Sequence, residues 1–434
     1  MYMQSSATDA HRLRTVIAKN TLAQVAARVA SAASTFIITL ILARKFGANG
    51  FGDFVKITTF IAFFYLLSDF GINAVFLQKD SSMTTDAETS TRSWDTLVFL
   101  RLILSTVLIL VSTIIIFLLP RGYSQGYTYA VRLGILMFAP TIIFQSLTTS
   151  ANALFQKHFR YDLSAYAVII GSLLTLVLVA FTVYSSAFGT IMTAVVALFI
   201  GSAVTALSAL YFAKQFRAPV HSKPNGSEIA ALFYASIPLG ATLLFNLVYF
   251  RIDSVILTLT RTTAEVGIYG LAYKMFELPL IIPTFFMNAL YPVMLANLKD
   301  AGSFNIHKQL LAKAAGLLFC ISVLLPCIFW AGAPLLTYIK SDFVQSISAL
   351  RILSLGLPFF FLTGLTMWTL IAYKKQRELA VIYAFSMVIN ITANILFVPS
   401  YGYMAAAWIT LASEAIVLVL SGITVFSLLK HHTS

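Results

Sequence analysis

Charge is what this chain has least of. Only 10% of its 434 residues are Asp, Glu, Lys or Arg, against about 25% in an ordinary soluble domain. Hydrophobic residues make up 59%. They fall in long runs along nearly the whole length, too many to bury in one water-soluble core. This excludes a soluble globular protein and leaves an all-α polytopic membrane protein, whose backbone polar groups are satisfied within each helix.

Other absences narrow the chemistry. There are two cysteines, Cys320 and Cys327, both in one apolar run. Along a helix they stand about 10 Å apart, too far for a disulfide. They read as small core residues. The histidines (His11, His158, His221, His307, His431 and His432) lie in polar connections or tails. None is paired with Cys or Asp at ligand spacing, so no metal site is expected. There is no Gly-Lys-Ser/Thr loop for a nucleotide. No nucleophile or carboxylate pair sits in a soluble pocket, so no catalytic residue and no cofactor is expected. No small-residue cleavage site follows the first apolar run, which reads as a retained helix rather than a signal peptide. No soluble domain interrupts the runs.

What is present is a series of apolar runs at roughly 16–43, 52–77, 97–119, 128–154, 163–184, 188–212, 232–259, 268–297, 314–339, 346–372, 379–398 and 402–429. By the roughly 20-residue criterion these are about twelve spans, with both chain ends on one side. Basic residues choose the side. One set of connections holds Arg12, Arg14, Lys19, Lys79, Arg92, Arg101, Lys157, Arg160, Lys214, Arg217, Lys223, Lys299, Lys308, Lys313, Lys374, Lys375, Arg377 and Lys430. The alternate set holds Arg44, Lys45, Arg121, Arg132, Arg261 and Lys340. The N and C termini are therefore expected in the cytoplasm. The net charge of +13 would point to nucleic acid in a soluble protein. Here the basic residues sit in short connections, where they meet anionic lipid headgroups. With no basic domain and no aromatic reading surface, nucleic-acid binding is not expected.

The stretch LARKFGANGFGDF, residues 42–54, lies between the first two spans. It reads as a short extracytoplasmic turn with Arg44 and Lys45 at headgroup level. Its closing half is echoed by GIYGLAYK, residues 267–274: Phe51-Gly52 answers Tyr269-Gly270, and Lys56 answers Lys274. LFQKHFRYDLSAYAVIIG (154–171) lines up with AYKKQRELAVIYAFSMVIN (372–390), and FGTIMTAVVAL (188–198) with YGYMAAAWITL (401–411). The offsets are about 213 to 218 throughout, the mark of an internal duplication. The halves are residues 1–213 and 232–434, joined by a cytoplasmic connector at 214–231. Six spans per half make the repeat parallel. Two six-helix lobes are then related by a pseudo-two-fold axis along the membrane normal, with a central cavity and alternating access by rocking.

Ionisable residues within spans each cost at least a few kcal/mol to insert, so each marks a candidate site. They are Arg28, Lys56, Asp69, Arg251, Asp253, Lys274, Glu277, Arg351 and Glu414. Counting from the turns puts Arg28 and Asp69 at one level in the cytoplasmic half, and Arg251, Asp253, Lys274 and Glu277 near mid-membrane. Lys274 and Glu277 share a helical face; Arg251 and Asp253 do not. One pairing is Asp253 with Lys274, which leaves Arg251 or Glu277 facing the cavity. The alternative is that the Lys274–Glu277 and Arg28–Asp69 pairs neutralise each other and lock helix packing. Arg351 and Lys56 are shallow enough to snorkel. Glu414, alone in the last span, either titrates and couples transport to protons or hydrogen-bonds a neighbouring backbone. Asn20, Gln24 and Arg28 form an i,i+4 stripe that gives the first span a polar face. Asn246, Asn288, Asn390 and Asn394 add polar groups elsewhere, and Pro238, Pro279, Pro283 and Pro358 are candidate kinks. The substrate-contact candidates are Arg28, Arg251, Lys274, Lys56, Asn246 and Gln24. Candidates for coupling or for structural ion pairs are Asp69, Asp253, Glu277 and Glu414. Guanidinium suits bidentate binding of phosphate oxygens and stays charged at depth, which favours the two arginines.

The order LARKFGxxGFG, SDFG at the end of the second span, YFRIDSVIL in the seventh, GIYGLAYKxxELPLIIP opening the eighth and VPSYGYxAAAW opening the twelfth resembles a known family. It is similar to the polysaccharide-transporter branch of the multidrug/oligosaccharidyl-lipid/polysaccharide exporter superfamily, and within it to the Wzx-type O-antigen flippases. The resemblance covers essentially the whole chain. It implies a V-shaped twelve-helix transporter of the bacterial inner membrane that moves an undecaprenyl-pyrophosphate-linked oligosaccharide to the periplasmic leaflet through a cationic cavity. It further implies proton or sodium coupling, polysaccharide polymerase and chain-length proteins as partners, and substrate-binding arginines in the first and seventh spans, where Arg28 and Arg251 stand. Three functional readings remain: this flippase or a lipid II-type relative, a cation-coupled multidrug exporter with an acidic first-lobe cavity, and a non-transporting scaffold.

Overall fold

The computed structural model describes residues 7–81, 87–120, 122, 125–185, 189–216, 226–299 and 304–431. Fourteen α-helices account for most of them: α1 Ala7–Asp69, α2 Ile72–Ser81, α3 Ala87–Leu118, α4 Tyr129–Phe138, α5 Thr141–Lys157, α6 Tyr161–Tyr184, α7 Ile191–Ala213, α8 Gly226–Thr260, α9 Thr263–Glu277, α10 Ile281–Lys299, α11 Phe304–Gly332, α12 Ser346–Leu355, α13 Leu357–Ala372 and α14 Gln376–His431. Among the described residues, ten helical segments are long and apolar enough to cross a membrane. Two of them are double-length. Helix α1 has 63 residues and α14 has 56, and either one, if straight, would exceed twice the roughly 30 Å hydrocarbon core. Each is broken at a single glycine: Gly47 (φ 67°, ψ −171°) in α1 and Gly402 (φ 62°, ψ −146°) in α14. Both conformations are essentially closed to residues with a Cβ. Each double helix therefore supplies two crossings, which makes twelve among the described residues.

The connections are shorter than the sequence reading had them. The stretch 42–54 is not a loop; helix continues on both sides of Gly47. VPSYGY is likewise helical up to the break at Gly402. The connection expected at 78–96 is mostly helix, since α2 runs to Ser81 and α3 starts at Ala87. Two of the four candidate prolines lie at helix interruptions, while Pro238 stands inside the continuous α8 and Pro283 in the first turn of α10. A 3-10 turn at Leu278–Leu280, holding Pro279, separates α9 from α10, and Pro358 follows the break at Gly356.

The chain divides into two compact units: Met1–Leu42, Phe60–Leu119 and Tyr129–Leu244 in the first, Ala43–Thr59, Pro120–Thr128 and Phe245–Ser434 in the second. In the first unit α6 and α7 pack through a reciprocal contact. A Cβ on Gly171 would strike Thr205, and one on Gly201 would strike Thr175. Small residues let the two backbones approach, as is usual where lipid gives no hydrophobic drive. The indole of Trp94 donates to Ser150 O at 2.8 Å and anchors α3 on α5.

In the second unit the segment 43–59 packs on α9. Gly52 faces the Thr263 carbonyl, Gly267 faces the Ala48 carbonyl, and Gly270 faces Val55. The two stretches that echo each other in sequence thus meet. Phe51 closes the contact edge-on against Phe343, with centroids 6.1 Å apart.

A second trace of the duplication is one helix end present in both units. Phe159 (φ 52°) ends α5 and Lys374 (φ 59°) ends α13. Arg160 N–H then returns to Phe155 O, and Lys375 N–H to Leu370 O, both at 2.8 Å. Left-handed residues of this kind close helices by satisfying their last carbonyls.

Three expectations fail on burial. Cys320 and Cys327 are exposed, not core, because an apolar side chain in a membrane bundle faces lipid as readily as protein. Arg101, assigned to a cytoplasmic connection, is among the largest fully buried side chains. His307, also assigned to a connection, lies buried in α11.

Candidate functional site

Each unit holds its own ionic constellation. In the second, α8 and α9 bring together Arg251, Lys274 and Glu277. Arg251 Nη2 is 2.6 Å from Glu277 Oε1, and Lys274 Nζ is 3.0 Å from Glu277 Oε2. One carboxylate thus holds two cations, one on each oxygen. The guanidinium also lies 5.4 Å from the centroid of the Tyr273 ring, and that ring is fixed by the phenol donating to Phe250 O at 3.1 Å. All three charged side chains keep some exposure: 24% for Arg251, 36% for Lys274 and 27% for Glu277. The cluster carries one cation more than it neutralises. An anion meeting its open side finds donors on two geometrically different groups, a planar fork and an ammonium.

Behind it lie two buried carboxylates. Asp253 is 3% exposed and accepts from the Tyr269 hydroxyl, from Ser254 N–H at 2.6 Å and from the Thr410 hydroxyl at 3.4 Å. The expected Asp253–Lys274 pair does not form. Asp253 and Arg251, two residues apart, leave α8 on different sides, and tyrosine and threonine hydroxyls take up the aspartate. Glu414 is 2% exposed and accepts from the Tyr249 hydroxyl at 2.9 Å. Its partner is thus a side chain on another helix. Nearby on α14, Asn390 donates to Ser413 Oγ at 2.9 Å, and Asn394 donates to Asn390 O at 2.8 Å.

Lys56, the other basic candidate of this unit, is fully buried. Its ammonium donates to Gly126 O at 2.8 Å and to Thr263 Oγ1 at 2.6 Å. It neither snorkels nor contacts an open site, because the connection at 125–128 supplies it with a carbonyl. Asn246 is half-buried and Asn288 exposed. Arg351 rests over Trp330, 5.2 Å from the ring centroid, with Nη2 3.3 Å from Trp330 O.

In the first unit the expected Arg28–Asp69 level is not used as a pair by Asp69. Asp69 pairs with Arg101 of α3, whose Nη1 also donates to Ser150 Oγ at 3.1 Å. Arg101 is 1% exposed and Asp69 31%. Beside the pair the chain breaks: Phe70 (φ 40°) and Gly71 (φ 72°) separate α1 from α2. A phenylalanine in the left-handed region is strained, and it is held there by stacking on Phe233, 6.3 Å away. Arg28 is exposed on α1. The side chains of Asn20 and Gln24 lie outside the described residues. Among the described residues no three His, Cys, Asp or Glu side chains gather at metal-binding distance.

Sequence reasoning missed the tyrosines and Arg101. Tyr269, Tyr273 and Glu277 repeat at i, i+4, i+8 along one face of α9, a stripe that was visible in the sequence. Arg101 had a weaker signal: apolar residues on both sides.

The sequence pattern of the polysaccharide biosynthesis protein family matches residues 17–298, and that of the MatE family matches residues 238–396. A comparison with curated proteins finds no match. Among solved structures the chain is similar to a lipid II flippase MurJ in an inward closed conformation, at 15% identity and TM-score 0.76, covering 93% of this chain and 87% of that one. It is similar to an inward-facing multidrug resistance MATE family transporter of the MOP superfamily, at 15% identity and TM-score 0.72, covering 95% and 100%. It is also similar to a MOP superfamily transporter from Pyrococcus furiosus described as having a binding pocket of reverse polarity, at 15% identity and TM-score 0.60, covering 96% of both chains. The likeness to these structures is one of fold. The sequence match, over more than half the residues, makes this chain a member of the polysaccharide biosynthesis protein family.

Proposed function

We propose that this protein is a flippase that carries an undecaprenyl-pyrophosphate-linked oligosaccharide, an O-antigen or similar surface-polysaccharide unit, across the bacterial inner membrane by alternating access. The observation that carries this reading is the half-open Arg251–Lys274–Glu277 cluster, with its surplus cation inside a membrane-spanning bundle. A pyrophosphate headgroup supplies the anion this cluster lacks, and polyprenyl tails stay in lipid. The family match supports a polysaccharide role. The Lys/Arg asymmetry of the connections supports cytoplasmic termini. The halves 1–213 and 232–434 are the proposed lobes. Arg28, Gln24 and Asn246 are proposed additional substrate contacts. Asp253 and Glu414 are the proposed groups for proton or sodium coupling. Polysaccharide polymerase and chain-length proteins are the proposed partners.

A drug-exporter reading is disfavoured by Asp69, the acid it needs in the first unit, being engaged by Arg101. Deleting the gene tests the proposal. Lipid-linked repeat units are expected to accumulate in the cytoplasmic leaflet, and the wild-type gene is expected to clear them. Loss of peptidoglycan synthesis instead would indicate a lipid II substrate, and drug sensitivity without accumulation an exporter. Arg28→Ala and Arg251→Ala at equal protein levels are expected to fail to complement. Full restoration of surface polysaccharide by both would rule out the cationic contact.

A further inference from the structure

Two cations, Arg251 and Lys274, share the one carboxylate of Glu277 in the second unit. Two half-exposed cations without it would be costly at membrane depth. The acid is also unusually placed. Glu277 is the last residue of α9, directly before the 3-10 turn at Leu278–Leu280 with its Pro279. The chain on its C-terminal side is therefore not locked into a continuing α-helix. Arg251, besides its ion pair with Glu277, has a second neighbour. Its guanidinium rests by the Tyr273 ring at 5.4 Å, and that ring is tethered to the backbone of α8 through Phe250 O. Lys274 stands one turn before Glu277 on the same face of α9.

The two oxygens of Glu277 are divided between the two cations at 2.6 and 3.0 Å. Two oxygens of one phosphate group are spaced much as those of a carboxylate are. A phosphate can therefore take the same two donors without moving either. Neutralised by Glu277 the cluster is left with one positive charge; with Glu277 turned away it has two, the complement of a pyrophosphate diester.

We infer that Glu277 is an internal anion that holds the phosphate seat in the empty transporter, is displaced when the pyrophosphate headgroup binds Arg251 and Lys274, and returns to expel it. This rests on the pyrophosphate reading above. It makes Glu277 a residue that sets release rather than capture. Removing its charge is expected to tighten binding and slow turnover, the opposite of what loss of a structural brace would do.

The full chain, reconstituted in nanodiscs of zwitterionic lipid, is titrated with geranylgeranyl pyrophosphate, with geranylgeraniol as the uncharged control. Glu277→Gln is expected to bind the pyrophosphate about tenfold more tightly than wild type, the equivalent of one charge-assisted hydrogen bond no longer given up. Glu277→Asp, which keeps the charge but shortens the reach to Arg251, is expected to fall between them. Arg251→Ala is expected to bind at least about tenfold more weakly. The alcohol is expected to bind all four proteins alike. In cells, Glu277→Gln is expected to restore surface polysaccharide more slowly than wild type. If Glu277→Gln and Glu277→Asp bind no tighter than wild type while Arg251→Ala weakens binding, Glu277 is only a brace; this inference fails and the pyrophosphate reading stands. If no variant changes pyrophosphate binding, the pyrophosphate reading itself fails.

Discussion

The first unit's Asp69–Arg101 pair and the second unit's Arg251–Lys274–Glu277 cluster use the same residue types for different ends. In the pair, the guanidinium is 1% exposed and its partners are one acid and one hydroxyl. Charge is matched, the cation is sealed, and the pair stands beside a strained backbone break at Phe70 and Gly71. In the cluster, two cations face one acid and all three side chains remain partly open. The guanidinium is positioned by a ring. Asp69 is 31% exposed, as open as the acid of the cluster, so the two sites differ in the burial of the cation and in the count of charges. A matched pair with a sealed guanidinium fixes a conformation; an overmatched cluster with open cations keeps the capacity to bind. Counting intramembrane charges does not separate these roles; stoichiometry and the burial of the cation do.

Substitutions at three residues test that contrast. The largest effect is expected from Arg101→Ala. It leaves Asp69 without its partner, and breaking a buried pair costs about 3–5 kcal/mol, an upper bound here because Asp69 is partly exposed. Thermal unfolding in detergent should show a large loss of stability and a low yield of folded protein. A stability near wild type would remove the distinction between the two sites. Arg251→Ala is expected to do the reverse. Glu277 keeps Lys274 as a partner when Arg251 is removed, so unfolding should shift by less than for Arg101→Ala, while flipping in reconstituted vesicles falls at least about tenfold, the value of a lost charge-assisted contact. Destabilisation comparable with Arg101→Ala would make this cluster structural as well. The smallest effect belongs to Tyr273. Tyr273→Leu removes the ring beside Arg251, a contact worth about 0.5–2 kcal/mol, and should weaken pyrophosphate binding a few-fold. Tyr273→Phe keeps the ring and should retain most of it. Equal losses in both would assign the effect to the hydroxyl's bond with Phe250 O rather than to the ring.

Much of the architecture was legible in the sequence. Apolar run length gave the membrane spans, though not where helices within them break or merge, and the echo of 51–56 at 269–274 marked two segments that do pack together. The residue types of the charged sites were legible too. Their pairing was not. Counting residues from a turn gives depth in the membrane but not the direction a side chain takes around its helix, and partner choice depends on direction. Asp69 and Arg28 share a predicted level, yet Asp69 pairs with Arg101. Asp253 and Lys274 share one too, yet tyrosine and threonine hydroxyls satisfy Asp253. The cysteines mislead for a related reason: hydropathy cannot distinguish lipid-facing from protein-facing positions. The turn at 42–54 was right in place and wrong in form, since one glycine at φ 67° replaces a loop.

Both glycine breaks lie against an ion pair, of opposite use. At Gly47 the amide of Ala48, at the start of the next helix, donates to the acid Asp342 at 3.4 Å. At Gly402 the base Arg261 donates to Pro399 O at 3.2 Å, near the end of the preceding helix. Each break is thus held by the sign of charge that its helix end attracts.

The contact of segment 43–59 with α9 also sets a timetable. The ammonium of Lys56 finds its hydroxyl partner 207 residues further along the chain, on Thr263. At roughly 5–20 residues per second of synthesis, those residues take on the order of 10–40 s to emerge. During that interval the first hairpin is in the membrane while Lys56 and the groove at Gly52 lack the surface that covers them. The last stage in maturing the earliest-made segment therefore waits for the second half of the chain.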